Sequence, residues 1–309
     1  TGVFEEQFDA VFWQSSPYNW PVIGWTSDLN SYTMDEAQRY FDIYYRRKNL
    51  VGVIVGDFDP AQVKPLIESY FGRLTPGKTG PPPVVTLEMP QKAEARFYAE
   101  CDCQPSVEVR YHTVPFNHAD SFALQMMAEI LNGRTGRLYK SMVEGKQIAS
   151  SASASAVQFG APWEYAGFFS FNADTKGDAT PQQLEAAWLE ELARLQNEPV
   201  GEHELQKVKN RVAADAFRRL QSNFFLLLQL GIYEGVGGWE YINEAPRKLQ
   251  AVTAADVQRV ANMYFEPTNR SVAIFTRKAG QSSEETDPAL AQLDEKMRGA
   301  VKQMLAQVQ

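Results

Sequence analysis

Residues 29–55, LNSYTMDEAQRYFDIYYRRKNLVGVIV, align with residues 249–275, LQAVTAADVQRVANMYFEPTNRSVAIF, without a gap and at a constant offset of 220 positions. Seven of the 27 positions are identical: Leu29/Leu249, Thr33/Thr253, Gln38/Gln258, Arg39/Arg259, Tyr44/Tyr264, Asn49/Asn269 and Ile54/Ile274. The physical pattern agrees better still. Ala37, Tyr40, Phe41, Tyr44 and Tyr45 fall at i, i+3, i+4, i+7 and i+8, and so do Val257, Val260, Ala261, Tyr264 and Phe265. Each set is one apolar stripe of a helix. Thr33 with Glu36, and Thr253 with Asp256, supply a capping signal at each start. After Asn49 and Asn269 come the apolar runs Leu50–Val55 and Val272–Phe275, each read as a buried strand. A gapless helix–turn–strand match favours duplication over chance similarity of two amphipathic helices.

A repeat of this period makes the first copy short. The second copy has its upstream half within the chain, from about residue 90, whereas the first has 28 residues before the matching segment. About 130 residues of a first repeat are therefore expected N-terminal to Thr1.

Working outward, residues 1–26 read as an aromatic loop, followed by a helix over 34–46 and a strand over 50–55. Asp59 and Gln62, with Pro60 at the first position, predict a helix reaching Phe71. The Pro/Gly-rich stretch 76–90, with Pro81-Pro82-Pro83, reads as a stiff linker. Beyond it the pattern predicts strands near 94–101 and 106–114, a helix at 120–131 and a short helix at 137–144. Strands near 148–158 and 164–173 follow, then a helix to about 197, a long helical stretch over 202–230 and the repeated helix–strand ending near 276. This order suggests an α+β fold, a mostly antiparallel sheet covered by helices. The expected domains are the C-terminal part of a first repeat (1–75), the linker (76–90), a complete second repeat (91–279), and a polar tail with a terminal amphipathic helix (280–309).

Composition narrows the function classes. With 38 acidic against 30 basic side chains, the net charge of −8 argues against a nucleic-acid partner. No apolar stretch approaches the ~20 residues of a membrane span. Cys101 and Cys103, read as sharing one strand face, are poorly placed for a mutual disulfide.

Candidate motifs mostly fail on context. Gly72, Gly77, Lys78 and Thr79 satisfy a phosphate-loop pattern, but a helix precedes it and three prolines follow, so no helix N-terminus faces a phosphate. Cys101, Cys103, His112 and His118 have a spacing unlike structural zinc sites and read as ordinary strand and turn residues. His203 and Glu204 lie at a helix start. There is no H-E-x-x-H, H-x-x-E-H or G-x-S-x-G. The alternation Ser151-Ala152-Ser153-Ala154-Ser155-Ala156 is small on both faces. It reads either as a strand covered by large neighbours or as one that lets a substrate or partner approach closely.

Ser16-Pro17-Tyr18-x-x-Pro21-x-Ile23-Gly24, Tyr44-Tyr45-x-x-x-Asn49, Val55-Gly56-Asp57 and Tyr70-Phe71-Gly72 resemble blocks of the M16 zinc metallopeptidases. Asp120, with Ile130-Leu131-x-Gly133-x-x-x-Arg137-Leu138-Tyr139, is similar to the start of that family's second half. The resemblance covers about residues 10–280. It implies a duplicated α+β unit whose halves enclose a peptide chamber, and zinc-activated water attacking a peptide bond. Two departures bear on this chain. The family's His-x-x-Glu-His lies upstream of the block at Ser16 and is missing, and Glu5 or Glu6 stands later than the usual place of the distal Glu ligand. Where active members carry an arginine and a tyrosine, this chain has Val143 and Ser150. Neither supplies the hydrogen bonds that clamp substrate and stabilise an oxyanion. The expectation is thus a chain with no catalytic and no metal-binding residues, inactive by itself, with zinc in the full-length parent. Some bacterial members divide the labour between subunits. The resemblance therefore implies a zinc-motif-bearing subunit that acts on peptide, its partner a second M16 subunit with the Arg/Tyr pair or a homodimer copy, in the periplasm. The alternative is a non-catalytic M16-like scaffold subunit of a larger complex.

Overall fold

A computed structural model of the chain describes residues 2–74, 76, 80–157 and 162–278. Gly77, Lys78 and Thr79 of the phosphate-loop pattern lie outside them, as do the tail and terminal helix expected over 280–309.

The chain begins with a helix, α1 (Gly2–Phe12), where sequence reading expects a loop. Phe4, Phe8 and Phe12 recur every four residues and form one apolar stripe along it. α2 (Thr26–Ser31), α3 (Met34–Tyr44) and α4 (Pro60–Phe71) follow. Asp59 caps α4 by accepting from the Ala61 amide at 2.8 Å, rather than through a box with Gln62. Residues 50–55, expected as a strand, pair with no described strand. The apolar run is there, but Val51 and Ile54 are 63% and 51% exposed, and a strand needs a neighbour to bond to.

β1 (Ala95–Cys101) and β2 (Ser106–His112) lead to α5 (Ser121–Leu131) and a π-helical segment, Tyr139–Gly145. β3 (Ala149–Ser155) and β4 (Phe168–Thr175) precede α6 (Pro181–Asn197). The long helical stretch is in fact two helices, α7 (Glu202–Leu220) and α8 (Asn223–Val236), because the Ser222 hydroxyl caps a new start at Phe225 N. α9 (Tyr241–Ala251), not read from sequence, precedes α10 (Ala254–Tyr264) and β5 (Arg270–Arg277).

Among the described residues the five strands form one sheet in the order β1-β5-β2-β4-β3, with β1 and β5 parallel and every other pair antiparallel. Strand alternation sorts the side chains. Val107, Val109, Tyr111, Phe169, Phe171, Val272 and Ile274 face the helices and form one core with Trp188, Leu192, Val257, Val260 and Phe265. Trp188 stacks on Phe171 at 4.7 Å, and its indole donates to the Tyr111 hydroxyl at 3.3 Å. The opposite face carries Glu108, Arg110 and His112, and α1 covers part of it.

The two cysteines are joined in a disulfide, contrary to the sequence reading. β1 ends at Cys101 and the chain bends at Asp102, so Cys103 is not on the strand. The bend leaves the Cα atoms 5.2 Å apart, within disulfide reach.

Candidate functional site

Val143 and Ser150 flank the edge of the sheet. Val143 sits in the π-helical segment, half-buried against the main core. Ser150 is the extra residue of a β-bulge in β3, between Ala149 opposite Thr175 and Ser151 opposite Asp174. Its hydroxyl is exposed and donates to the Asp174 carbonyl at 3.4 Å. One of these side chains is an aliphatic group packed against the core and the other a hydroxyl bonded to main chain, so they form no joint hydrogen-bonding pair.

β3 is the last strand of the sheet, and one of its edges has no described strand partner. Ala152 and Ala154 face the helices, while Ser151 and Ser153 face a polar cavity of about 370 Å³ on the other side. Glu5, Glu108, Asn172 and Asp174 line it with them. The Ser151 hydroxyl donates to Asp174 at 2.6 Å, and Glu108 accepts from Arg110 at 2.5 Å. The Asn132 side chain closes one end of the free β3 edge, donating to the Ala154 carbonyl at 2.6 Å and accepting from the Ala154 amide at 2.9 Å. This leaves the stretch up to Ala152, beside small side chains, as the place where an extended peptide can add.

The wall behind this cavity depends on Arg110, which sequence reading missed. Its guanidinium is nearly fully buried, pairs with Asp9 and Glu108, and lies 4.5 Å from the ring centroids of both Phe8 and Phe168. Burial disfavours the charge, but the two carboxylates outweigh it and raise the pKa. Beside it His112 stacks on Phe12 at 3.9 Å, and its Nδ1 is buried with no hydrogen-bond partner among the described residues. Burial lowers its pKa to about 4, against the opposing pull of Glu88 and the bond to the Phe12 backbone. The Glu88 carboxylate accepts from three consecutive amides, Gln14, Ser15 and Ser16, at 3.0, 3.1 and 2.8 Å, and so fixes the turn after α1. Tyr18 of the Ser16-Pro17-Tyr18 block packs on Trp13 and Trp163. That block is therefore a docking element.

Metal chemistry finds no footing here. Among the described residues no group of three His, Cys, Asp or Glu side chains is placed to hold a metal ion. Cys101 and Cys103 bond to each other, His112 is stacked in the aromatic cluster, and the His118 ring accepts from the Asp120 amide at 3.1 Å. None of these four described side chains is left free to join the others around a zinc ion.

Comparison with known proteins agrees with this geometry. Residues 31–212 match the Peptidase M16 inactive domain. A zinc protease PqqE of Helicobacter pylori is 24% identical over 265 residues, which is 84% of this chain and 59% of that protein. The chain thus spans about three-fifths of the length of this curated relative. In fold it is similar to a Helicobacter pylori protease, with TM-score 0.81 and 22% identity, covering 89% of this chain and 67% of that one. It is similar too to a peptidase M16 inactive domain from Pseudomonas fluorescens, with TM-score 0.76 and 17% identity over 91% of this chain and 66% of that one. The periplasmic protease PqqL of Escherichia coli shares the fold at TM-score 0.72 and 15% identity, over 89% of this chain and 32% of that one. With more than half of its residues matched by that model, the chain belongs to the M16 peptidase family through its inactive domain.

Proposed function

We propose that the chain is the C-terminal portion of an M16 peptidase subunit and serves as a non-catalytic wall of its peptide chamber. The observation that carries this reading is the edge of β3 up to Ala152, which has no described strand partner. It is joined by the M16 resemblance, which puts Val143 and Ser150 where active members have an arginine and a tyrosine. Small side chains along the edge leave room for a peptide backbone to bond there as an added strand. Hydrolytic chemistry then belongs elsewhere in the parent, a reading supported by the described residues, which hold no group placed for a metal. Residues 1–75 then form the tail of a first repeat and residues 91–279 the second. The Arg/Tyr pair comes from a second M16 subunit or a further copy, and a periplasmic setting agrees with the PqqL likeness.

The chain is to be tested with an unfolded casein peptide. The expected result is slower hydrogen exchange of the amides of residues 149–155 on peptide addition, with no cleavage at any zinc concentration. Stoichiometric zinc binding with hydrolysis by this chain alone sinks the reading. Exchange of the β3 amides that does not respond to saturating peptide removes the chamber role. An intact His-x-x-Glu-His in the upstream coding sequence favours a peptidase parent, whereas a degenerate one favours a scaffold subunit.

A further inference from the structure

Within the second of the two aligned segments, Arg259 and Tyr264 close on a single carboxylate. Arg259 Nη2 donates to Asp120 Oδ1 at 2.6 Å, and the Tyr264 hydroxyl donates to Oδ2 at 2.7 Å. Asp120 stands immediately before α5, with its side chain 7% exposed. The clamp ties one end of α10 to the start of α5 and holds the stripe Val257, Val260 and Ala261 in the core. β5, which follows, runs between β1 and β2, and Ile274 is buried there.

α3 presents the same face. Its capping box (Thr33 with Glu36) repeats that of Thr253 with Asp256. Each helix ends in a 3₁₀ turn whose asparagine amide donates back to the tyrosine carbonyl: Asn49 to Tyr44 at 2.9 Å, Asn269 to Tyr264 at 2.7 Å. Arg39 and Tyr44 occupy the register positions of Arg259 and Tyr264. Only the covering differs. Tyr40, Phe41 and Tyr45 are each more than half exposed, where Val260, Ala261 and Phe265 are buried. Among the described residues Arg39 has no ion pair within 4 Å and the Tyr44 hydroxyl has no hydrogen bond, its ring lying on Tyr40 at 4.3 Å. Residues 51–55, in the register of β5, have no described strand on either side.

We propose that Arg39 and Tyr44 form a carboxylate clamp, and that the α3 face seats a helix carrying an aspartate or glutamate at its start, flanked by strands that pair with residues 51–55. The occupant is the upstream half of the first repeat, so the inference rests on the reading of residues 1–75 as the tail of a repeat. The chemistry comes from within this chain: an identical arginine and tyrosine on an equivalent helix bind a carboxylate in that setting. An uncovered arginine on an apolar face supplies the complementary charge.

The test compares the 309-residue chain with the gene-encoded chain extended upstream, using Arg39→Met and Tyr44→Phe in both and Arg259→Met and Tyr264→Phe as references. In the extended chain, the amides of α3 are expected to be protected from exchange, and each first-segment variant to lower the thermal midpoint by about 3–6 °C. In the 309-residue chain the same two variants leave it unchanged, while the reference variants lower it. Protection of α3 without an effect of either variant overturns the clamp and leaves the repeat intact. Absence of protection, or of any upstream repeat, overturns the reading beneath it. An equal loss in both chains means that Arg39 and Tyr44 act only within their own helix, and that too ends the proposal.

Discussion

Arg110 has no margin for replacement. It holds α1 on the sheet through Asp9, shares Glu108, and fills the space between Phe8 and Phe168 with a flat cation. Removing the cation leaves two carboxylates crowded at a buried surface. Arg110→Met is therefore expected to destabilise the fold by about 3 kcal/mol, measured by denaturant unfolding. Arg110→Lys keeps the charge but loses the planar fork and the stacking, and falls between the two. His112 sets a pH dependence whose sign follows from its burial. Its pKa is about 4 in the fold and near 6.5 in an unfolded chain, so below pH 6.5 the unfolded state takes up the proton first. Stability is complete above about 6.5 and declines as the pH falls towards 4, by up to about 3 kcal/mol. His112→Gln should flatten the stability curve across that window, and parallel curves for both proteins exclude the effect. Neither role was legible in sequence. His112 reads as a strand residue, and Arg110 acquires its meaning only when Asp9, 101 residues away, is folded against it.

At the scale of elements, the caps offer a paired measurement. Thr253 and Thr33 make the same capping box, but α10 buries Val257, Val260 and Ala261 while α3 buries no side chain. Thr253→Ala should cost about 1 kcal/mol of global stability, and Thr33→Ala should leave the global midpoint in place while speeding exchange at the start of α3. Equal costs would mean that α3 is coupled to the core after all. This contrast also shows what periodicity conveys. The stripes of α3 and α10 and their capping residues were legible, and so was the strand near residues 106–114. Pairing was not. Residues 50–55 and 272–275 read alike, yet among the described residues only the second run has strand neighbours, because a strand is defined by the chain beside it. The break at Ser222 was hidden within a continuous apolar run. The Phe4, Phe8, Phe12 spacing of α1 is present in the sequence but is masked by the other aromatic residues around it. The edge position of β3, and the bulge at Ser150, follow from sheet order and cannot be read from the Ser/Ala alternation.

For the whole molecule, the chain leaves and rejoins its own core. α1 is sealed to the sheet, with Phe8, Phe12 and Trp13 almost fully buried, and the Glu88 carboxylate bonds the turn that follows it. Between these anchors α2, α3 and α4 bury no side chain. A protease should therefore nick first within residues 26–74, where exposed backbone yields at little cost to the core. The break should not release the N-terminal peptide, because the contacts that hold it lie on the far side of the cut, at Arg110, His112, Trp163 and Glu88. After limited proteolysis, residues up to about Trp20 and the fragment beginning near residue 80 are expected to elute together in gel filtration and to separate only in denaturant. In the Arg110→Met protein the peptide should dissociate under native conditions, since the ion pair and the cation between the two rings are lost together. Separate elution from the unsubstituted protein would show that α1 is held by chain connectivity and not by its docking.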